Sequence, residues 1–211
     1  TGTEVRNEWT QRSAGEAIHA VIWFCDLRGS SALADALPRE EFLAELNRFF
    51  DAMGGAIEER GGEVLRFIGD AVLAIFPISD DNIKGRSSAA VGRTCFDALE
   101  AVRSAEARMA ILNQELIEEG KAALGYGIGL HLGNVTYGNI GTESRLEFTV
   151  IGAAANEAAR IESLCKVLDH PVLMSGDFAR NCPEALRSLG KHALAGVAEE
   201  MEILTLPPRH N

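Results

Sequence analysis

The sequence predicts an α+β fold, with a ferredoxin-like βαββαβ core followed by additional helices and strands. Apolar runs of strand length alternate with longer stretches of helical spacing. In the first part of the chain their order is strand, helices, strand, strand, helix, strand, which is typical of helices packed on one face of a sheet. With 211 residues, 46% of them hydrophobic, the chain can fill one core.

Domain bounds follow from composition. Residues 1–17 are polar and mixed in charge, which indicates a linker or entry segment, whereas residues 18–206 carry the strand and helix patterns of one domain. Residues 207–211 form a short tail. No run approaches the ~18 apolar residues of a membrane helix, and we expect no signal peptide. We therefore expect a cytoplasmic domain that does not itself contact a membrane, and a membrane tether elsewhere in a longer protein stays open.

The net charge limits the possible binding partners, and the cysteine pattern indicates the redox state of the thiols. The formal net charge of −11 argues against a nucleic-acid binder, which would present a basic face. It does not exclude nucleotides, because a few local cations and metal ions suffice to bind a triphosphate. The four cysteines lack C-x-x-C spacing and lie in or beside apolar stretches, so we expect reduced, mostly buried thiols.

The N-terminal half predicts a strand, helices and a hairpin. A strand covers about residues 19–25, and the turn after it leads into a helix with Ser30 or Ser31 as the expected N-cap. Pro38 breaks this helix. A second helix begins near Arg39 and stops at two glycines. The hairpin at 63–76 and a long helix over about 86–119 follow.

The C-terminal half begins with a strand over about 123–131 that carries glycine at alternate positions. Glycine in a strand usually means that another backbone or a ligand comes close. The other predicted elements are a hairpin of strands Val135–Ile140 and Leu146–Ile151, a helix over about 153–168, a strand at 172–174, a small helical region, and strands near 192–194 and 201–206.

Two aspartates stand at the ends of apolar runs. Asp26 ends the first strand, and Asp70 lies in the Gly-Asp turn of the hairpin. Carboxylates at the ends of adjacent strands can hold a pair of divalent cations, the usual apparatus for moving a phosphoryl or nucleotidyl group. Taken singly, Asp26 is also compatible with a helix cap and Asp70 with an ordinary turn residue.

A second polar pair lies near the C-terminal helix start. Asn156 and Arg160 are four residues apart, so they share one helix face. An amide beside a guanidinium suits a ribose and a phosphate. The same pair, taken alone, is also compatible with a solvated helix surface.

Four segments in this order resemble the catalytic domain of class III nucleotidyl cyclases, the adenylyl and guanylyl cyclases. They are Phe24–Ser30, Phe67–Asp70, His131–Gly141 and Thr149–Arg160. The resemblance covers roughly residues 18–206. It implies that ATP is converted to 3′,5′-cyclic AMP and pyrophosphate by attack of the ribose 3′-hydroxyl on the α-phosphate.

The resemblance also implies roles for individual residues. Asp26 and Asp70 would bind two Mg²⁺ or Mn²⁺ ions per active site, with the Leu27 carbonyl as a further ligand. Asn156 would orient the ribose, and Arg160 would neutralise charge that develops on the α-phosphate. Backbone amides at a helix N-terminus, together with a further arginine, would bind the triphosphate. This phosphate-binding set is Arg28, Gly29, Ser30, Ser31 and Arg145.

In the family, each active site lies between two catalytic domains arranged head to tail. The metal-binding aspartates come from one domain, and the Asn/Arg helix comes from the other. Because this chain carries both sets, the resemblance implies a homodimer with two equivalent shared sites and an inactive monomer.

Two positions are expected to read the base, Arg66 and Thr149. Adenylyl cyclases usually have lysine at the first position and guanylyl cyclases glutamate. A cation at 66 can donate to adenine N1, and the hydroxyl of Thr149 can accept from the exocyclic amine. Arg66 cannot accept a hydrogen bond from guanine N1–H, so ATP is favoured. Arginine can nevertheless donate to guanine O6 and N7, and Arg66 is also compatible with a strand cation paired with Glu63 or Glu147.

Two rival interpretations stay open at this point. One is a guanylate cyclase of the same fold. The other is a catalytically degenerate module that dimerises or binds nucleotide, which Arg66 and Ala195 keep open, since many family members carry a phosphate-binding lysine where this chain has Ala195. His131 lies between glycines on a predicted strand, and we expect a structural role for it.

Overall fold

The computed structural model describes residues 15–78, 88–142 and 145–208, but not the side chains of residues 139–148. Within these ranges, eight strands form one sheet. The predicted linker up to residue 14 and the tail from 209 lie outside the described residues. The elements are β1 (Glu16–Arg28), α1 (Ser30–Ala36), α2 (Arg39–Glu58), β2 (Glu63–Ile68), β3 (Ala71–Pro77), α3 (Ser88–Glu118), β4 (Gly125–Thr142), β5 (Arg145–Ile151), α4 (Ala153–Val167), β6 (Val172–Ser175), α5 (Gly176–Asn181), β7 (Arg187–His192) and β8 (Met201–Thr205).

The ferredoxin-like core is confirmed. The sheet order is β2-β3-β1-β4-β6-β8-β7, with β5 paired to β4. Its first four members are antiparallel neighbours, and α2 and α3 connect them as a βαββαβ unit requires. The strand β6 joins β4 in parallel and extends the sheet toward the C-terminal strands.

The central strand β1 sends alternate side chains into two separate cores, because successive residues of a strand point to opposite faces. Val21 and Trp23 lie with α2 and α3 in the larger core. Ala20 and Ile22 lie in a second core with alanines of α4. The prediction of helices on one sheet face therefore holds for α2 and α3, while α4 covers the opposite face.

The alternate glycines of β4 are explained by α4. A Cβ built on Gly129 would lie 2.5 Å from the carbonyl oxygen of Ala158 and 2.5 Å from the amide nitrogen of Glu162. A Cβ on Gly133 would lie 2.6 Å from the Cβ of Ala154. The expected close approach at these glycines is that of a helix backbone, and the absence of side chains lets α4 lie directly on the strand.

Several predicted bounds differ from the structure. The strands predicted at 123–131 and 135–140 form one continuous strand, β4, because its residues pair with β1 over 13 positions from Gly125 to Tyr137. β7 covers Arg187–His192 rather than 192–194, and β1 begins at Glu16. The N-cap of α1 is Gly29, whose φ is 72°, and no side chain caps the helix, so the expectation for Ser30 or Ser31 was wrong.

The cysteines are free thiols, with Cys25, Cys95 and Cys165 buried and Cys182 half-buried. Within the described ranges, the helices are all too short or too polar to cross a bilayer.

We predict that Gly129→Ala lowers the free energy of unfolding by roughly 1–3 kcal/mol, because the new methyl group would overlap the backbone of α4. The matched control is Gly54→Ala in α2, where the nearest atom to an added Cβ is 3.9 Å away. That change should raise stability by about 0.5–1 kcal/mol through helix propensity. Urea unfolding measures both, and equal effects of the two variants would contradict the packing of α4 on β4.

Candidate active site

Asp26 and Asp70 lie at the same edge of the sheet. Asp26 is opposite Ala71 in the antiparallel pair of β1 and β3, so it neighbours the turn that carries Asp70. The amide of Leu27 donates to the carbonyl oxygen of Asp70 at 3.3 Å. Gly69 adopts a φ of 63°, the left-handed conformation that this tight turn requires. The structure thus brings the two predicted carboxylates together.

The electrostatics of this edge favour a bound cation. Burial, followed by repulsion from Asp70, raises the pKa of Asp26 to about 6, and Arg28 opposes the shift. A divalent cation would offset both the burial and the repulsion. Carboxylate and carbonyl oxygens are the hard ligands that Mg²⁺ and Mn²⁺ prefer. Among the described residues, no group of three or more His, Cys, Asp and Glu side chains is placed to hold a metal ion. A cation bound by these two carboxylates would therefore need backbone and substrate oxygens as its remaining ligands.

The turn after β1 carries the predicted phosphate-binding residues. Gly29 is exposed and left-handed, and α1 starts directly after it at Ser30. The Arg28 guanidinium is bonded outside this turn, since its Nη2 donates to the carbonyl of His170, which follows α4, at 3.0 Å. Its Nε is buried and lacks a partner in the described part of the chain. The side chain of Arg145 lies outside the described residues, and its backbone begins β5.

The two predicted base-reading residues lie on elements that contact each other, β2 and β5. Arg66 is exposed and pairs with Leu73 across the hairpin. Thr149 is buried and lies opposite Gly138. Glu63, one of the acids considered as a partner for Arg66, accepts hydrogen bonds from the hydroxyl of Tyr137 at 2.9 and 3.0 Å. The other acid, Glu147, has its side chain outside the described residues.

Asn156 and Arg160 lie one turn apart on α4, where Asn156 is exposed and Arg160 is half-buried. A Cβ built on Gly196 would lie 3.3 Å from Nη2 of Arg160. The guanidinium therefore lies beside the loop between β7 and β8, next to Ala195. The fold thus brings Ala195, the position at which the resemblance implies a phosphate-binding lysine in many family members, close to Arg160.

Glu162 was not predicted as a site residue. It lies on the inner face of α4, 8% exposed, together with apolar residues such as Ile161 and Cys165. Burial raises its pKa to about 7, with a further upward contribution from Asp26. One sequence feature could have identified Glu162. It is an acidic residue at a position whose helical spacing places it with the buried residues of α4, which face the alternate glycines of β4.

His131 is held inside the fold. Its Nε2 lies 2.9 Å from a carboxylate oxygen of Glu157 on α4, and the ring is 4% exposed. Burial lowers its pKa despite that carboxylate. These contacts link β4 to α4 and agree with the structural role expected for this histidine.

Comparisons with known proteins point to one family. The family described as adenylate and guanylate cyclase catalytic domain matches residues 14–180. An adenylate cyclase of Anabaena cylindrica is 36% identical over 169 residues, which are 78% of this chain and 31% of that protein. The chain spans about a third of the length of the first curated relatives it matches.

Solved structures share the fold. The adenylyl cyclase CyaB from P. aeruginosa has a TM-score of 0.80 at 23% identity, over 94% of this chain and 98% of that one. The guanylyl cyclase Cya2 has a TM-score of 0.74 at 25% identity, over 94% and 98%. The fold therefore accommodates both an adenylyl and a guanylyl cyclase.

We predict that Asp26→Asn stabilises the metal-free protein at pH 8 by about 1 kcal/mol, allowing for solvent screening of a half-buried carboxylate. Because the folded-state pKa of Asp26 is raised, to about 6, its contribution to stability is present at acidic pH and is lost as the pH rises through 6. The gain should therefore vanish near pH 4.

Urea unfolding at the two pH values measures this difference. Asp51→Asn, on the exposed face of α2, controls for the change in net charge. A wild-type protein as stable as Asp26→Asn at pH 8, without divalent cations, would contradict the electrostatic interpretation.

Proposed function

The chain belongs to the adenylate and guanylate cyclase catalytic-domain family, and on this premise we propose that it converts ATP to 3′,5′-cyclic AMP and pyrophosphate. In this reaction the ribose 3′-oxygen forms a bond to the α-phosphorus, and the bond to the bridging oxygen of the β-phosphate breaks. The 3′-hydroxyl loses its proton to solvent, and pyrophosphate leaves. The observation that carries the proposal is the pair Asp26 and Asp70 at adjoining strand ends, in a chain whose α4 presents Asn156 and Arg160.

Asp26, Asp70 and the Leu27 carbonyl would hold Mg²⁺ or Mn²⁺, two ions per site. Bound there, the ions supply Lewis-acid stabilisation of negative oxygens on ribose and phosphates. The two side chains fit this role because their negative charges repel each other in a partly desolvated place. The backbone amides at Gly29, Ser30 and Ser31, at the start of α1, would bind phosphate oxygens. Arg28 would contribute through its amide, since its guanidinium is bonded to His170.

A second chain would supply Asn156 and Arg160. Glu162 points from α4 toward the sheet edge that carries Asp26 of its own chain. Arg160 precedes it by two residues, a rotation of about 200° around the helix, so Arg160 points away from that edge. A head-to-tail homodimer with twofold symmetry would instead bring Arg160 of one chain to Asp26 of the other, twice. In that place Asn156 would orient the ribose, and Arg160 would stabilise the charge on the α-phosphate.

ATP is the substrate that we propose, on the chemistry of Arg66 and Thr149. The guanidinium donates only, which suits adenine N1, and the threonine hydroxyl can accept from the adenine amine. A guanylate cyclase is the second candidate, favoured by the ability of arginine to donate to guanine O6. A non-catalytic module is the third, and it is favoured by Ala195.

We expect Mn²⁺ and ATP to yield cyclic AMP faster than GTP yields cyclic GMP, and Arg66→Lys to increase this preference several-fold. Lysine is a compact donor that suits adenine N1, whereas the planar guanidinium of arginine can also donate to guanine O6 and N7. Chromatography of the products measures both rates. The control is Arg93→Lys, at an exposed position of α3. Mainly cyclic GMP, or no product, would overturn the proposal, and an unchanged ratio in Arg66→Lys would exclude Arg66 from base reading.

Mixing Asp70→Asn chains with Arg160→Ala chains should restore activity. Each mixed dimer keeps one intact site, so random pairing gives about a quarter of the wild-type rate. The control mixture is Asp26→Asn with Asp70→Asn, in which every site lacks one aspartate and activity should stay absent. Cyclic AMP formation measures the outcome, and native mass spectrometry shows whether mixed dimers form. Mixed dimers without activity would contradict the shared site.

A further inference from the structure

Gly127 leaves a space beside Asp26 that another side chain fills. The two residues are direct partners in the antiparallel pairing of β1 and β4, so their Cβ positions point to the same sheet face, about 5 Å apart. A Cβ built on Gly127 would overlap the carboxylate of Glu162 and lie 3.1 Å from its Cδ. The carboxylate of Glu162 therefore occupies the place where residue 127 would carry its side chain, next to Asp26.

Glu162 is held in this place by the helix and not by a partner of its own. The amide of Glu162 packs on Gly129, which fixes the helix position. In the described part of the chain, no hydrogen bond or ion pair reaches its carboxylate, although the residue is only 8% exposed. Partial desolvation without a hydrogen-bond donor disfavours the ionised carboxylate, and a positive charge nearby would offset this effect.

The charges around Glu162 leave an excess of negative charge. Its pKa is raised to about 7 by burial first, then by Asp26 and Asp70, while Arg28 lowers it. Arg28 is thus the cation that acts on this group, and its Nη2 is bonded to the carbonyl of His170. Three carboxylates therefore face one guanidinium, an excess of acidic groups that bound divalent cations would offset.

We propose that Glu162 is a positioning residue for the divalent-cation site of its own chain. Its carboxylate, seated over Gly127, adds negative potential at Asp26 and Asp70 and so strengthens cation binding without itself touching the ion. This inference rests on the proposed function, which assigns Asp26 and Asp70 to the cations. It gives α4 a part in both sites of the dimer, through Glu162 in one and Arg160 in the other.

The test is Mn²⁺ binding to the nucleotide-free protein, followed by electron paramagnetic resonance of the free ion. Glu162→Gln keeps the shape of the side chain and removes its charge, so we expect about tenfold weaker binding. Glu162→Asp keeps the charge and should bind more tightly than Glu162→Gln. The control is Glu58→Gln, which removes the same charge from an exposed position of α2, on the other face of the sheet.

The outcomes separate the inference from the proposed function. Wild-type affinity in Glu162→Gln, with binding lost in Asp26→Asn, would overturn the role of Glu162 alone. Unchanged affinity in Asp26→Asn would overturn the metal site itself. Should Glu162→Gln fail to fold, Glu162→Met gives the same comparison with an apolar chain of similar length. A purely structural Glu162 would alter urea unfolding and leave Mn²⁺ affinity unchanged.

Discussion

The direct packing of α4 on the glycines of β4 is the contact on which the rest of the site depends. A side chain at Gly129 would separate the helix backbone from the sheet, because the carbonyl of Ala158 already lies within contact distance. That closeness fixes the rotation of α4 and therefore the direction of each polar residue on it. This one backbone contact therefore sets the directions in which Asn156, Arg160 and Glu162 point from the helix.

Charge is the second constraint on this region. The edge of β1 brings together carboxylates that burial and mutual repulsion both disfavour, as the raised pKa values of Asp26 and Glu162 record. Apolar residues or paired charges at this edge of β1 would give a more stable protein. Within the described residues, Asp26 and Glu162 instead have no hydrogen-bond or ion-pair partner, and they lie close to the start of α1 at Gly29–Ser31, where a helix N-terminus suits anions. The adjacent positions that we propose for cations and for phosphate oxygens would suit a metal–triphosphate complex.

Much of the fold could be predicted, because the relevant signals are local. The Gly-Asp turn, Pro38 before α2 and the apolar runs each specify structure through nearby residues. The continuity of β4 could not be predicted, since it depends on pairing with β1, whose residues lie 97 to 121 positions earlier in the chain. The sequence showed the glycines at 125, 127 and 129 but not what approached them. For the same reason Glu162 was missed, as its importance comes from a neighbour on another strand.

The direction of Arg160 bears on whether one chain can act alone. Within a single chain, α4 lies on the face of β4 and turns Glu162 toward Asp26, while Arg160 lies beside Gly196 in the loop between β7 and β8. Rotating the helix to bring Arg160 to its own Asp26 would expel Glu162 from its place over Gly127 and lift the backbone from Gly129. The packing that orders the helix thus disfavours an intramolecular site. A second copy of the chain meets the same chemical need without disturbing that contact, which is why we favour a dimer over rearrangement of a monomer.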